Sequence, residues 1–510
     1  MPFDPHYDDF VSSESCKAYY AADGGEKVKG KTGGFHLLWG DGVKFTAAPA
    51  SGTRRQVKAR GQTGWIEIAD LGGSALLEVY FIDVGQGDGL LIRTPDFRHI
   101  MLDGGYPRAS QPTGKSAADF VDWKFFDDYG HDRVVLDELI SSHIDFDHYG
   151  GMADLLAITP DKSDGLDCVG VSVENFYHSG LSHWEKHAAS GTGEGLGPVG
   201  SSGGKKWFTR LLDDRASAAA GGAGSGPQLK GAWGDFIARV VGTTNAAGQP
   251  TAMARVSQKT GWLPGYDPTN PVAIKVLGPV EGDHQGSPAL LRLDSSQSIN
   301  TNGTSVLLRI DFRKARILLT GDLNQKAHHA LLELHRGNET ELACDVGKCC
   351  HHGSEDVSFE FLSHMRAACT VISSGDHEGH DHPRPRIVAA SGLTGHRTIR
   401  NDRIETPLVY STELARSAEL GRPVAAKVTT GATTESFGEA RLDDIAVDYK
   451  VVASGALRGA NKTGRLDRTM LVHKMLYGLV NIRTDGHKIL AATMNEGDRS
   501  FAVKTFDARF

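Results

Sequence analysis

The chain has 510 residues, of which 39% are apolar and 23% charged, and its formal net charge is −8. That length can bury a sizeable core and hold two or more domains, and the composition is that of a soluble globular protein, which excludes a disordered or fibrous chain. The acidic balance argues against a basic coat that grips nucleic acid everywhere, while a local basic patch would still suffice for binding it.

The start, MPFDPHYDDFVSSES, is acidic and polar, with no basic region ahead of an apolar stretch, so no secretory signal is expected. No apolar run is long enough to span a membrane. The six cysteines, Cys16, Cys168, Cys344, Cys349, Cys350 and Cys369, show no CxxC spacing and read as buried thiols. A cytoplasmic protein without membrane attachment is the expectation.

Residues 1–74 differ in character from the rest of the chain, with short apolar stretches (FHLLW, VKFTAA) among glycines. In Val57 to Leu71, VKARGQTGWIEIADL, a basic strand, a Gly-x-x-Gly-Trp turn and an alternating strand suggest a small β-barrel. This segment resembles a bacterial SH3-like domain, and such a domain could take a peptide or protein partner. An irregular extension of the main fold is the alternative.

From Ala75 to Ile92 the pattern reads as two strands joined at VGQGDG, with Asp83 and Asp88 as candidates to support metal ligands from behind. HIMLDGG is the next strand and offers Asp103 in the same role. Lys115 to Tyr129 reads as a helix whose aromatics are core. The strand from Arg133 runs into SSHIDFDHYGG, where His143, Asp145, Asp147 and His148 fall within six positions. A soluble core needs no such density of imidazole and carboxylate, and together they suit a divalent ion such as Zn²⁺ or Mn²⁺. The loop leaves the C-terminal end of a strand, where α/β sites lie.

A helix is expected from Tyr149 to Leu156 and a strand from Val169 to Tyr177. The interval of about 188–274 holds two linker-like stretches, SGTGEGLGPVGSSGG and SAAAGGAGSGP, with KKWFTRLLDD between them read as a helix. The interval is read as an insertion, either a lid or substrate wall or a mobile and silent loop. PVAIKVLGPV resumes the fold. SVLLRIDFRKARILLTGD reads as a hairpin that delivers Asp322, Gln325 to His335 as a helix, and CCHHGS places His351 and His352 after another apolar run. CTVISSGD is a further strand. GDHEGHDHPRPR follows, with His377, His380, His382, Arg384 and Arg386. The tail from 408 to 510 is β-rich and carries no chemical motif. Three ligand-bearing strand ends make a bridged two-metal centre plausible.

FIDVGQGDGLLI at Phe81 to Ile92, MLDGG, SSHIDFDHYGG, NGTSVLLRI at Asn302 to Ile310, LLTGD and HHGS, in that order, resemble the metallo-β-lactamase fold superfamily, and most closely the ComEC-like hydrolase domain of competence DNA-uptake proteins. The similarity runs from about Glu78 to Pro407. It implies an α/β protein with an αββα four-layer sandwich over 75–407, completed or packed upon by 408–510. It makes His143 and Asp145 ligands of a first metal and Asp147 and His148 of a second, with Asp322 bridging and His352 completing the coordination of the second metal. Asp147 would also orient the nucleophile, and His351 would donate a proton or contact phosphate. His382 matches the first histidine of a family loop, and Arg384 and Arg386 would bind a phosphodiester.

Asp145 stands where classical β-lactamases carry histidine, as in the ComEC-like branch, which favours Mn²⁺ as a rival to Zn²⁺. One departure stands out. Gly278 stands where a further first-metal histidine is usual, and His178, His183 or His284 could substitute. The resemblance implies two divalent ions and a DNA phosphodiester as substrate. A small phosphodiester, a lactone or ester, or a non-catalytic protein with a vestigial metal pocket are the alternatives. Oligomeric state is left open.

Overall fold

In a computed structural model the described residues are 3–24, 27–28, 31–110, 116–162, 165–185, 195–222, 227–375, 382–412, 419–450, 461–469, 471–473, 479–494 and 500–510. Two large sheets dominate. The first has nine strands in the order Ala252–Arg255, Val171–His178, Val134–Ser141, His99–Gly104, Gly89–Arg93, Leu77–Phe81, Val480–Thr484, Lys488–Met494 and Phe501–Asp507. The second has six: Ala273–Gly278, Leu307–Phe312, Ala315–Leu319, Val346–Lys348, Cys369–Ile372 and Leu408–Ser411.

Strand alternation decides what each sheet buries where. Val79, Phe81, Leu90, Ile92 and Ile100 from the first sheet meet Ile274, Leu308, Ile317 and Val346 from the second in one apolar cluster. The intervening residues Tyr80, Leu91 and Met101 point the other way and meet Val121, Met152, Trp233 and Phe236. These last four come from the helices Ala117–Trp123, Phe146–Leu155 and Gly231–Gly242. On the far side of the second sheet, Leu307 and Leu318 pack with Leu331, Phe361 and Ile387. Those three belong to the helices Gln325–Leu334, Phe359–Met365 and Pro385–Thr394. Both faces of each sheet are therefore covered, which is why the strands read as continuous apolar runs.

Within each sheet a parallel block aims its strand ends the same way. His99–Gly104, Val134–Ser141 and Val171–His178 are parallel neighbours, as are Ala315–Leu319, Val346–Lys348 and Cys369–Ile372. Every candidate metal-ligand loop leaves a C-terminal end of these strands.

The described parts of the expected insertion, 195–222 and 227–274, are built into this fold. Lys205–Phe208 is a strand, where a helix was expected over KKWFTRLLDD. It pairs with Val199–Ser202 across Gly203 and Gly204, whose φ values of 60° and 76° both require the left-handed region. A Gly-Gly pair between two short strands is the local code for a tight hairpin. Trp233, Phe236, Ile237 and Val240 of the following helix are nearly fully buried, and Ala252–Arg255 extends the nine-stranded sheet. Residues 186–194 and 223–226, which hold much of the linker-like sequence, lie outside the described residues, as do His377 and His380.

Near the N-terminus, six antiparallel strands run in the order Asp9–Phe10, Gly42–Phe45, Arg54–Ala59, Gln62–Glu67, Ser15–Tyr19 and Gly34–Leu38. They enclose their own core of Val11, Ala18, Leu37, Val43, Val57 and Ile66. Buried charge joins this unit to the larger one. Arg483, on the strand beside Leu77–Phe81, meets Asp41 at 2.8 Å and Glu78 at 3.4 Å and donates to the Trp39 carbonyl at 2.6 Å. Arg93 also pairs with Glu78 at 2.9 Å, and Arg60 with Asp41 at 2.9 Å. Among the described residues no helix is long and apolar enough to cross a membrane.

Burial alone would raise the Asp41 carboxyl, but Arg483, Arg60 and the Leu38 amide outweigh it and hold it well below the usual carboxylate range. We expect Asp41→Asn to cost about 3 kcal/mol near neutral pH, the scale for breaking one arm of a buried ion pair, measured by denaturant unfolding. Because the folded value lies below the unfolded one of about 3.9, the contribution is complete above roughly pH 4 and is lost as the pH falls towards the folded value. The gap between wild type and variant should therefore close in acid. A gap that stays constant on acidification would contradict this assignment.

Candidate metal centre

The segment Ser141 to Gly151 leaves the strand Val134–Ser141 and enters the helix Phe146–Leu155, with Asp145 at its N-cap. His143 and His148 are buried, and their rings lie 4.0 Å apart. The turn VGQGDG approaches this loop closely enough that a β-carbon on Gly87, whose φ is 106°, would stand 1.9 Å from the Asp147 carbonyl oxygen. Only glycine fits there.

Asp322, after the strand Ala315–Leu319, is 3% exposed. Its Oδ2 lies 3.2 Å from His148 Nε2, 2.9 Å from His352 Nε2 and 4.0 Å from His351 Nε2. The same carboxylate thus faces the Ser141–Gly151 loop and the HHGS loop together. The opposite nitrogens of the two buried imidazoles are fixed. His148 Nδ1 is 2.9 Å from Asp103 Oδ2, whose other oxygen accepts from the Ser142 amide at 2.7 Å. His352 Nδ1 is 3.0 Å from the Ser373 carbonyl oxygen and 3.4 Å from Asp88 Oδ1. Each ring is therefore oriented with Nε2 towards Asp322, the arrangement by which groups behind a ligand histidine set its tautomer.

The backbone is bent to achieve this. Asp103, His351 and His352 have φ values of 57°, 45° and 51°, a region that costs non-glycine residues energy and that recurs at functional sites.

Lys348, fully buried on the strand Val346–Lys348, was not singled out from the sequence. Its ammonium lies 2.6 Å from Asp88 Oδ2 and 3.7 Å from Asp322 Oδ1, and it donates to the Gly321 carbonyl at 2.9 Å. The available signal was a lysine inside the apolar run VGKCC, immediately before the histidines. Ser142 and Ser305, 3.0 and 3.4 Å from His143 Nδ1, were also missed, as was Thr301, which donates to Asp145 at 3.2 Å.

Charge alternates through the cluster. Burial opposes the charged state of every member, yet Asp322 and Asp103 raise His148 well above its ordinary value, and Asp322 and Asp88 push His352 up to about 10. Asp322 is correspondingly held far below the carboxylate range, and Lys348 and His352 bring Asp88 down to about 2. Burial keeps His351 below the usual imidazole value, so it is neutral near pH 7.

The donor set fits divalent metal. His143, His148 and Asp322 can bring one ligand atom each within 4.8 Å of one another, and so can Asp147, His148 and His352. The Nε2 of His143 and the Oδ1 of Asp322 are buried with no hydrogen-bond partner, and the Nε2 atoms of His148 and His352 converge on Asp322 Oδ2, an arrangement a cation would satisfy. Asp145 is close to the first group, with Oδ2 3.7 Å from His143 Nε2.

Other expected residues fall elsewhere. Asp83 accepts from the Gly85 amide at 3.3 Å and lines a separate hollow with Tyr80 and Asn481. His284 lies on the strand Glu281–His284 of a small four-stranded sheet, against Gly200, and is no part of the cluster. Buried His178 accepts from the Gly180 amide at 3.1 Å, and burial and Arg255 bring it down to about 3. Of the three substitutes, His183 is the one influenced by Asp145. Gly278 turns towards Leu307 and Leu331, so its position faces core. Arg386 is exposed over the Phe359 ring at 4.9 Å because the helix Pro385–Thr394 carries it outward.

Asp145, Asp147, Asp322 and His352 of the candidate site line an open cleft of about 660 Å³. His351, His382 and Arg384 line it, as do Gln86, Tyr106 and Phe146. The His351 and His382 rings are 5.7 Å apart, and Gln86 donates to Asp147 at 3.3 Å.

No family model matches the sequence. Among characterised proteins the chain is similar to the competence protein ComA of Neisseria gonorrhoeae, 31% identical over 113 residues. That segment is 22% of this chain, and it spans 16% of the length of the competence protein. A solved protein of unknown function from Enterococcus faecalis V583 aligns over 57% of this chain and 56% of its own, at 13% identity and a TM-score of 0.24, too low to inform the fold.

We expect Asp103→Asn to weaken metal binding about 10- to 100-fold, the usual effect of releasing a ligand histidine, by calorimetric titration with Zn²⁺ or Mn²⁺. Asp322→Ala should be the most damaging single change to metal content. Full metal retention in that variant would exclude a shared carboxylate.

Proposed function

We propose that the chain is a metal-dependent phosphodiesterase acting on DNA, built on the metallo-β-lactamase αββα sandwich with an SH3-like N-terminal barrel. The observation that carries the reading is Asp322, within 3.2 Å of His148 Nε2 and 2.9 Å of His352 Nε2, on the floor of a cleft walled by His351, His382 and Arg384. The layering of helices outside two sheets and the similarity to a competence protein support it. A cytoplasmic location belongs to the same proposal, supported by six free thiols.

In this reading His143, Asp145, Asp147, His148, Asp322 and His352 hold two divalent ions. Bound metal would lower the pKa of a water and offset charge on the phosphoryl oxygens. The protein's own part is positional. Asp147, oriented by Gln86, accepts the nucleophile's hydrogen bond at the cleft floor. His351, held by Asn302 at 3.3 Å, faces the leaving-group side, and Arg384 meets the phosphate. A small phosphodiester is the second reading, favoured by a cleft volume of about 660 Å³, within the range of small-ligand sites.

Incubation of metal-loaded protein with single- and double-stranded DNA, RNA and bis(p-nitrophenyl) phosphate tests this. We expect cleavage of DNA, reduced about 100-fold or more in Asp147→Ala. Cleavage of the small ester alone would leave the second reading, and turnover of a lactone alone would end both.

Metal preference gives a separate expectation. Because Asp145 supplies oxygen where imidazole is usual, Mn²⁺ should support at least as much activity as Zn²⁺ in reconstituted apo-protein. Asp145→His should move the preference towards Zn²⁺. Activity with Zn²⁺ alone in the wild type would overturn the argument.

A further inference from the structure

Phe146 sits between Asp145 and Asp147, at the first turn of the helix that follows the metal loop. Its neighbours on both sides serve the cluster, yet Phe146 itself is 40% exposed. Among the described residues it is the one exposed large apolar side chain that lines the cleft. An apolar ring held beside so much charge gains nothing for the fold by facing water.

The ring is nevertheless braced. Tyr106 lies 5.9 Å away at an interplanar angle of 66°, and Tyr149 lies 5.5 Å away at 69°. Tyr149 is buried and stacks on Phe236 at 5.2 Å, so the support is anchored in the core. Neither neighbour lies flat against Phe146. Around it the cleft offers amides and hydroxyls from Gln86, Ser298, Asn302 and Ser354. A planar ring with hydrogen-bonding edges suits that mixture, and an acyl chain does not.

We propose that Phe146, flanked by Tyr106, is a stacking platform for an unpaired nucleobase, which positions the adjoining phosphodiester over Asp322. The inference rests on the phosphodiesterase reading and adds to it a base requirement. A base within a duplex is already stacked on both faces, so the platform selects single strands, frayed ends or isolated nucleotides. His351, His382 and Arg384 take the phosphate side of the same nucleotide.

Two measurements test this on the metal-loaded full chain. One compares thymidine 5′-(p-nitrophenyl phosphate) with methyl p-nitrophenyl phosphate as substrates. The other compares binding of a fluorescent single-stranded oligothymidylate with an abasic strand of equal length, by anisotropy. Wild type should favour the base-bearing member of each pair about tenfold or more, the scale of one base–aromatic stack. Phe146→Ala and Phe146→Leu should bring both ratios towards one, and Phe146→Tyr should keep them. Because the side chain is exposed, these variants should fold, which thermal unfolding checks. Ratios near one in wild type, or full ratios in Phe146→Leu, would overturn the platform. Absence of turnover for both esters would sink the phosphodiesterase reading alone, since the anisotropy ratios still decide on stacking.

Discussion

Three carboxylates, those of Asp88, Asp103 and Asp322, lie at or below 3% exposure within one small volume, and the rest of the site answers to that fact. A buried carboxylate without a positive partner is too costly to keep. Lys348 answers Asp88, His148 answers Asp103, and His148 and His352 together answer Asp322. The left-handed backbone at Asp103, His351 and His352 is the geometric cost of bringing those partners to the same point. Charge balance also separates the two sides of the cluster. Lys348 meets Asp88 and the Oδ1 of Asp322, which leaves Asp322 Oδ2 to the imidazoles.

Much of the candidate site was legible because its residues are local in sequence. His143, Asp145, Asp147 and His148 share one loop, and His351 and His352 another, so strand-end placement alone brings them near one another. Lys348 and Thr301 were not legible in the same way. A lysine in an apolar strand reads as an edge or an interruption until the carboxylates it meets, Asp88 and Asp322, are known to converge on it from other strands. The histidines considered for Gly278 failed for a related reason: His284 is close in sequence but sits on a separate small sheet, while His183, distant in sequence, is the one that feels Asp145. Composition misled over 195–274. Glycine-rich sequence reads as linker, yet Gly203 and Gly204 form a hairpin and Trp233 and Phe236 fill core.

The contact between the N-terminal strands and the larger unit follows a different logic from either core. It joins apolar and aromatic contacts, Leu38 with Leu490 and Ala492, and Phe3 and Tyr7 with Phe97, Phe125 and Tyr129, to a chain of alternating charge from Arg60 through Asp41, Arg483 and Glu78 to Arg93. Apolar surfaces tolerate sliding, whereas a buried guanidinium that meets two carboxylates and a backbone carbonyl fits at one register. The orientation of the two units is thereby fixed by hydrogen-bond geometry.

The pairing of Leu77–Phe81 with Val480–Thr484 bears on how the protein is made. Its two strands lie about 400 residues apart in sequence, so the first is synthesised long before its neighbour and until then the nascent sheet has a bare, apolar edge. Arg93 and Glu78 are both synthesised by then, but Arg483, which links them to Asp41, is not. The loops that carry His143, His148, Asp322 and His352 all emerge before that moment. The residues of the candidate site are therefore present while the central sheet still lacks three strands, and such an edge invites holdase chaperones or aberrant strand pairing until residues 480–507 have emerged.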